Sequence, residues 1–218
     1  MERVLEPELM DHAQRAQAYA RADFATSNQM FVNRLLSDFP GLAGDVVDLG
    51  CGPADVMIRL ARAKPDLRIT AVDGSEPMIQ IARSALQVHR LEPAVKLLCA
   101  RLPGLPLPDG KFDAVLSKDL LHHLPDPSVL WSEARRLGGH RAVISVMDLF
   151  RPDTLGDVKR LVQEVTGKED AFVQEDFFNS LCAAFTPDEV EEQLKAAGLK
   201  LAVERVSERH MLVHGRLS

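Results

Sequence analysis

Apolar runs of strand length recur five times between residues 46 and 147 of this 218-residue chain, with helix-like and loop segments between them. That alternation constrains the fold more than any other feature. The runs are Val46–Leu49, Leu67–Val72, Val95–Cys99, Phe112–Ser117 and Ala142–Met147. Helices are expected over Asp55–Lys64, from Pro77 to about His89, and over Pro127–Leu137. Ser75 stands where a helix cap would, Pro77 suits a first turn, and Gly138-Gly139 is a stop signal. Residues 101–111 are rich in proline and glycine and read as loop. Strands fed by helical crossovers lie parallel, and such crossovers are right-handed, so the order of elements nearly fixes a parallel sheet with helices on both faces.

The flanks complete a single domain over residues 1–218. Residues 7–38 read as helical, with Pro7 in a first turn and an apolar stripe of Phe31, Leu35 and Phe39, and Pro40-Gly41 ends them. Residues 1–40 therefore form an N-terminal helical cap. Residues 149–185 interrupt the alternation with two helix-like segments, Thr154–Val165 and Asp170–Leu181, and form a helical insertion. Thr186-Pro187-Asp188-Glu189 is a strong helix start, and that helix ends at Gly198. Leu199–Val206 and His210–Val213 are two last strands whose short connection requires an antiparallel pair. The expected sheet has seven strands, mostly parallel, with an antiparallel last strand.

The first strand leads into Asp48-Leu49-Gly50-Cys51-Gly52-Pro53-Ala54. Glycines there let a backbone approach a ligand closely. Asp48 disfavours a phosphate and suits a cationic or hydrogen-donating group. Asp73 ends the second strand, where an acid can accept both hydroxyls of a ribose. A dinucleotide loop would need a glycine at position 55, which is Asp55 here, and its charge would repel a pyrophosphate.

These segments resemble, in order, the motifs of class I S-adenosylmethionine-dependent methyltransferases, whose fold is Rossmann-like. Val46–Gly52 looks like the first motif and Ala71–Met78 the second, ribose-binding one. Leu105–Asp113 resembles the lead into the fourth strand, and Leu121–Asp126 the segment after it. The likeness is closest to the small-molecule branch that includes quinone-methylating enzymes. It implies S-adenosyl-L-methionine as cofactor. It also implies cofactor roles for Asp48, Gly50, Cys51, Gly52, Asp73 and Gly74, an adenine border at Leu102, and a cofactor- and substrate-facing segment from Ser117 and Lys118. Tyr19, the single tyrosine, is the candidate to close over the cofactor from the cap. Two departures stand out. Pro53-Ala54 replaces a further glycine, and Arg101 stands where an acid often meets the adenine amino group.

Methyl transfer from a sulfonium is an in-line displacement, so alignment and desolvation carry much of the rate and a base is needed only when the acceptor must lose a proton. Asp119, His122 and His123, after the fourth strand, are the candidate catalytic residues, since ligands of open α/β sheets bind beyond the carboxyl ends of the strands. Asp148 and His210 are further pocket candidates. A metal site is not expected, because adjacent histidines seldom point the same way. Residues 149–185, with Phe172, Phe177 and Phe178, are the expected substrate lid, although apolar residues at helical spacing usually pack as core.

Composition narrows the partners. The net charge is −6 and no basic run occurs, which argues against nucleic acid. Three widely spaced cysteines, Cys51, Cys99 and Cys182, suggest a reducing compartment. The start lacks a signal-peptide pattern, and no stretch is apolar enough to span a membrane. A cytoplasmic monomer or homodimer acting on a small molecule is the expectation. Two rivals are a regulatory protein that keeps the cofactor fold without methyl transfer, and a nicotinamide dehydrogenase, which Asp55 opposes.

Overall fold

The computed structural model describes residues 1–6 and 12–218. Its order is α1 (Ala13–Arg21), α2 (Ala25–Asp38), β1 (Asp45–Leu49), α3 (Asp55–Ala63), β2 (Arg68–Asp73), α4 (Glu76–His89), β3 (Val95–Cys99) and β4 (Phe112–Lys118). A 3-10 turn follows (Leu121–His123), then α5 (Ser128–Leu137), β5 (Gly138–Leu149), α6 (Leu155–Thr166), α7 (Ala171–Ala183), α8 (Pro187–Ala196), β6 (Ala202–Arg205) and β7 (His210–Arg216). The seven strands form one sheet ordered β3-β2-β1-β4-β5-β7-β6. Only β7 runs against the others: it pairs antiparallel with both β5 and β6.

Neighbouring strand residues point to opposite faces, and the β1 sequence shows the consequence. Val46 packs with Phe31, Leu35, Leu60 and Ile79 from α2, α3 and α4. Val47 packs on the other face with Trp131 and Leu137 of α5 and Val190 and Leu194 of α8. Both faces are thus covered, which is why the strands read as continuous apolar runs rather than alternating ones.

The caps are those the sequence calls for. Ser75 Oγ accepts from Met78 N at the start of α4. Thr186 and Glu189 form a reciprocal capping box on α8, a device whose loss typically costs about 1 kcal/mol. Three expectations are revised. The helical stretch before residue 38 is two helices, broken at Ala22-Asp23-Phe24, and Pro7 lies outside the described residues. Strand β5 is longer than expected because the glycines that end α5 also begin it. Strand β6 is only Ala202–Arg205, the shortest strand and at the sheet edge.

Residues 149–185 form their own small core. Val158, Leu161, Phe177, Leu181 and Cys182 bury one another, with Phe178 packed alongside, so both phenylalanines are packing residues. Phe172 is exposed beneath the Arg15 guanidinium. The N-terminal segment straps this unit to the sheet. Arg3 donates to the carbonyls of Ala183, His122 and Leu124 at 2.5, 3.0 and 3.0 Å and lies over the Phe185 ring. Val4 N donates to Cys182 O at 3.0 Å.

Candidate cofactor and acceptor site

A cavity of about 750 Å3 opens at the carboxyl ends of β1, β2 and β4, within the size range of small-molecule sites. One end is built mainly from backbone. Gly50 (φ +78°) and Gly52 (φ +50°) adopt left-handed conformations, which glycine reaches without penalty. A Cβ at Gly52 would meet no atom within 4 Å, so this loop presents bare backbone to the cavity. Gly50 has a different reason: a Cβ there would press the Leu120 side chain at 3.0 Å. Ala54 is also left-handed, at φ +66°, and is fully buried at the start of α3, where a family member with a third glycine would have less strain.

Asp73 organises this end. Its carboxylate accepts from Gly52 N at 2.7 Å and from Ser75 N at 2.9 Å, tying the glycine loop to the start of α4. Asp48 is buried in the cavity wall, and its Oδ1 has no hydrogen-bond partner among the described residues. Burial, reinforced by the charge of Asp73, pushes the Asp48 carboxyl up to about 8. Cys51, Gly74, Leu102, Lys118 and Tyr19 also line the cavity. Tyr19 stacks on Phe24, and burial raises its phenol above the usual tyrosine range. Arg101 lies along the wall with Nε donating to Gly74 O at 3.3 Å. Asp55 is held by Asn28 and Arg59 at 2.8 and 2.7 Å, which locks α2 to α3.

The other end is a knot of buried side chains. Asp119 and His123 line the cavity, whereas His122 does not. His122 Nδ1 meets Asp148 Oδ1 at 2.6 Å, and Asp148 Oδ2 accepts from Leu121 N at 2.7 Å. Burial alone would lower the His122 imidazole, but the adjoining Asp148 carboxylate outweighs it and carries the group up to about 9. His122 is therefore a buried cation at neutral pH, paired to Asp148. His123 instead turns its Nδ1 to Glu6 of the strap. Burial opposes the charge of Glu6, yet the contacts with His123 hold its carboxyl down at about 2. Asp119 sits against Lys118, and although burial opposes its charge, that ammonium keeps its carboxyl below the usual range. Glu6, His122 and His123 could each offer one donor atom to an ion, all within 4.8 Å. The Nδ1 atoms of both rings are already engaged by carboxylates, His122 by Asp148 and His123 by Glu6.

Other expected pocket residues lie elsewhere. Ser117 is fully buried and spends its Oγ on Leu49 O at 2.8 Å, clamping β4 to β1. His210 is buried behind Asp119, bonded to Ser207 at 3.0 Å, and burial drives its imidazole down to about 3. Asp148 serves the 3-10 turn rather than the cavity, and Arg151 pairs with Glu189 instead. Among the described residues, none of 149–185 lines the cavity; the cap contributes residues from Tyr19 to Asn28, and the strap contributes Glu6. Glu6 is the site residue that sequence reading missed, because no local pattern links it to His123, 117 positions away.

Residues 46–138 match the methyltransferase domain family. The whole chain also superposes on a solved S-adenosylmethionine-dependent methyltransferase from Aquifex aeolicus, with a TM-score of 0.72 over 94% of this chain and 98% of that one, at 18% identity. Residues 46–138 thus carry a methyltransferase domain, on the fold of the S-adenosylmethionine-dependent methyltransferases. The chain is 31% identical over 172 residues to 27-O-demethylrifamycin SV methyltransferase of Amycolatopsis mediterranei, covering 77% of this chain and 58% of the relative. It is 27% identical over 169 residues to demethylmenaquinone methyltransferase of Thermotoga maritima, covering 73% and 71%. The chain spans between 38% and 58% of the length of several other curated relatives that it matches, the rifamycin enzyme among them.

The residues present fit the family's cofactor. Gly52 offers an open cradle, Asp73 brings its carboxylate to the cavity wall, and the orphaned Asp48 oxygen calls for a cationic or hydrogen-donating partner.

Proposed function

We propose that this methyltransferase transfers the methyl group of S-adenosyl-L-methionine to a small-molecule acceptor in the cavity between the glycine loop and the cap. The single observation that carries the proposal is the orphaned, buried carboxylate of Asp48 in the cavity wall. An unpaired buried acid is costly to maintain without a ligand that completes it. When bound, the cofactor supplies an activated methyl group on a sulfonium. The chain's own part is to bind, align and dry the reactants. Asp48 and the Gly50–Gly52 backbone hold the methionyl side, Asp73 the ribose, and Gly74 and Leu102 border the adenine. Tyr19 and Lys118 enclose the centre. Asp119 and His123 face the acceptor, and His123 rather than His122 is the candidate base, because His122 is charged and outside the cavity.

The small-molecule assignment is supported by a cavity of about 750 Å3, by an acidic chain, and by the names of the rifamycin and menaquinone relatives. Three free cysteines accord with a cytoplasmic setting, and no helix among the described residues is long and apolar enough to cross a membrane. The test is release of labelled methyl from S-adenosylmethionine into low-molecular-weight metabolite extracts. Incorporation that requires the intact chain supports the proposal. Tight cofactor binding without transfer to any fraction points instead to a regulatory binder of the same fold.

A further inference from the structure

We infer that Glu6, reaching in from the N-terminal strap, is the positioning residue of a carboxylate–imidazole pair with His123 that takes the proton from a hydroxyl acceptor. This rests on the methyl-transfer reading of the cavity and deepens it by naming the acceptor chemistry. The two neighbouring histidine rings lie with centroids 4.1 Å apart but turn to different carboxylates. His122 faces Asp148 in the interior, and His123 faces Glu6 while lining the cavity, with 21% of its side chain exposed. Glu6, whose side chain is 9% exposed, is ionised and can only accept hydrogen bonds. His123 Nδ1 must therefore carry the hydrogen, which leaves the Nε2 lone pair as the ring's proton acceptor.

The surroundings of this pair are charged on several sides. His122 packs its charged ring against His123, Arg3 shares the strap, Tyr19 approaches from α1, Asp119 from just past β4, Asp148 from β5, and Ser180 and Asp176 from α7. The near wall is apolar, with Leu120, Leu124 and Pro125 beside His123. That combination suits a hydroxyl on an otherwise apolar molecule, which must lose its proton to react, over a tertiary amine, which has none to lose. In the step, His123 Nε2 takes the hydroxyl proton while the acceptor oxygen donates an electron pair to form the O–C bond. The electrons of the broken S–C bond remain on sulfur, which becomes neutral, and the positive charge ends on His123 beside the Glu6 carboxylate.

The test is long-range proton–nitrogen NMR of the full chain labelled at histidine nitrogen, in the wild type and in Glu6→Gln, each with S-adenosylhomocysteine. The wild type should show His123 as the Nδ1–H tautomer. Glu6→Gln, which replaces the carboxylate by a weaker acceptor, should move the His123 population toward the Nε2–H tautomer. An Nε2–H tautomer in the wild type overturns the inference, and that reading needs no variant to fold. An unchanged tautomer population in Glu6→Gln overturns it too, as does a one-to-one zinc complex that His123→Gln abolishes. Failure of the wild type to bind S-adenosylhomocysteine would instead strike the function proposed above, and the tautomer would still be read.

Discussion

The two ends of the cavity are built by different means. The end at β1 and β2 is contiguous backbone, held by one carboxylate: Asp73 accepts from Gly52 N and Ser75 N, twenty-one and two residues away. The end at β4 and β5 is side chains from distant elements, with Glu6, His123, Asp119 and the His122–Asp148 pair brought together by the strap, the 3-10 turn and the sheet. The first end can serve a ligand shared by a whole family. The second can change acceptor chemistry without disturbing the first, since its parts are separately replaceable.

Substitutions can break that division of labour. The largest effect is expected from Asp73→Ala, which strips the acceptor from two backbone donors. Cofactor affinity should fall at least about 100-fold, and stability by roughly 2–4 kcal/mol, checked by calorimetry and urea unfolding. Asp148→Asn comes next. It leaves the buried His122 without its counter-ion and should cost about 3 kcal/mol, with cofactor affinity nearly unchanged if the two ends are independent. It should also change the pH profile of stability. His122 is raised in the folded state to about 9. Its contribution is therefore complete below its unfolded value of about 6.5 and lost as pH rises through 9, and Asp148→Asn should flatten that slope.

Asp48→Asn sharpens the contrast in the other direction. Asp48 is also raised in the folded state, to about 8. Its contribution to stability is present below about pH 4 and lost as pH rises through 8. The amide removes that loss, so the variant should melt about 2–10 °C higher at pH 8, measured by calorimetry. Gly50→Ala is the smallest and links the two ends. It places a methyl at φ +78° against Leu120 and should cost about 1–2 kcal/mol, with a modest loss of cofactor affinity.

The same contrast explains what was legible in the sequence. Val46–Gly52 and Ala71–Met78 carry their structural meaning locally: apolar run, acid, glycines, cap. The mostly parallel seven-stranded sheet and the antiparallel last pair followed from alternation and a short connection. Glu6 and the separation of His122 from His123 were not legible. One depends on a strap that spans the fold, and the other on a 3-10 turn that sends adjacent rings to different carboxylates. The expected lid at 149–185 had the composition of a pocket wall, but Phe177 and Phe178 pack into a core of their own and Phe172 is exposed.

The central claim is that Asp48 and the glycine loop form a site for a cationic methyl donor. Isothermal titration of S-adenosylmethionine into the wild type and Asp48→Asn at pH 9, above the folded Asp48 value of about 8, tests it most directly. The account predicts one site per chain in the wild type and at least about tenfold weaker binding in the variant. No binding to the wild type, or equal affinity in both, would contradict it.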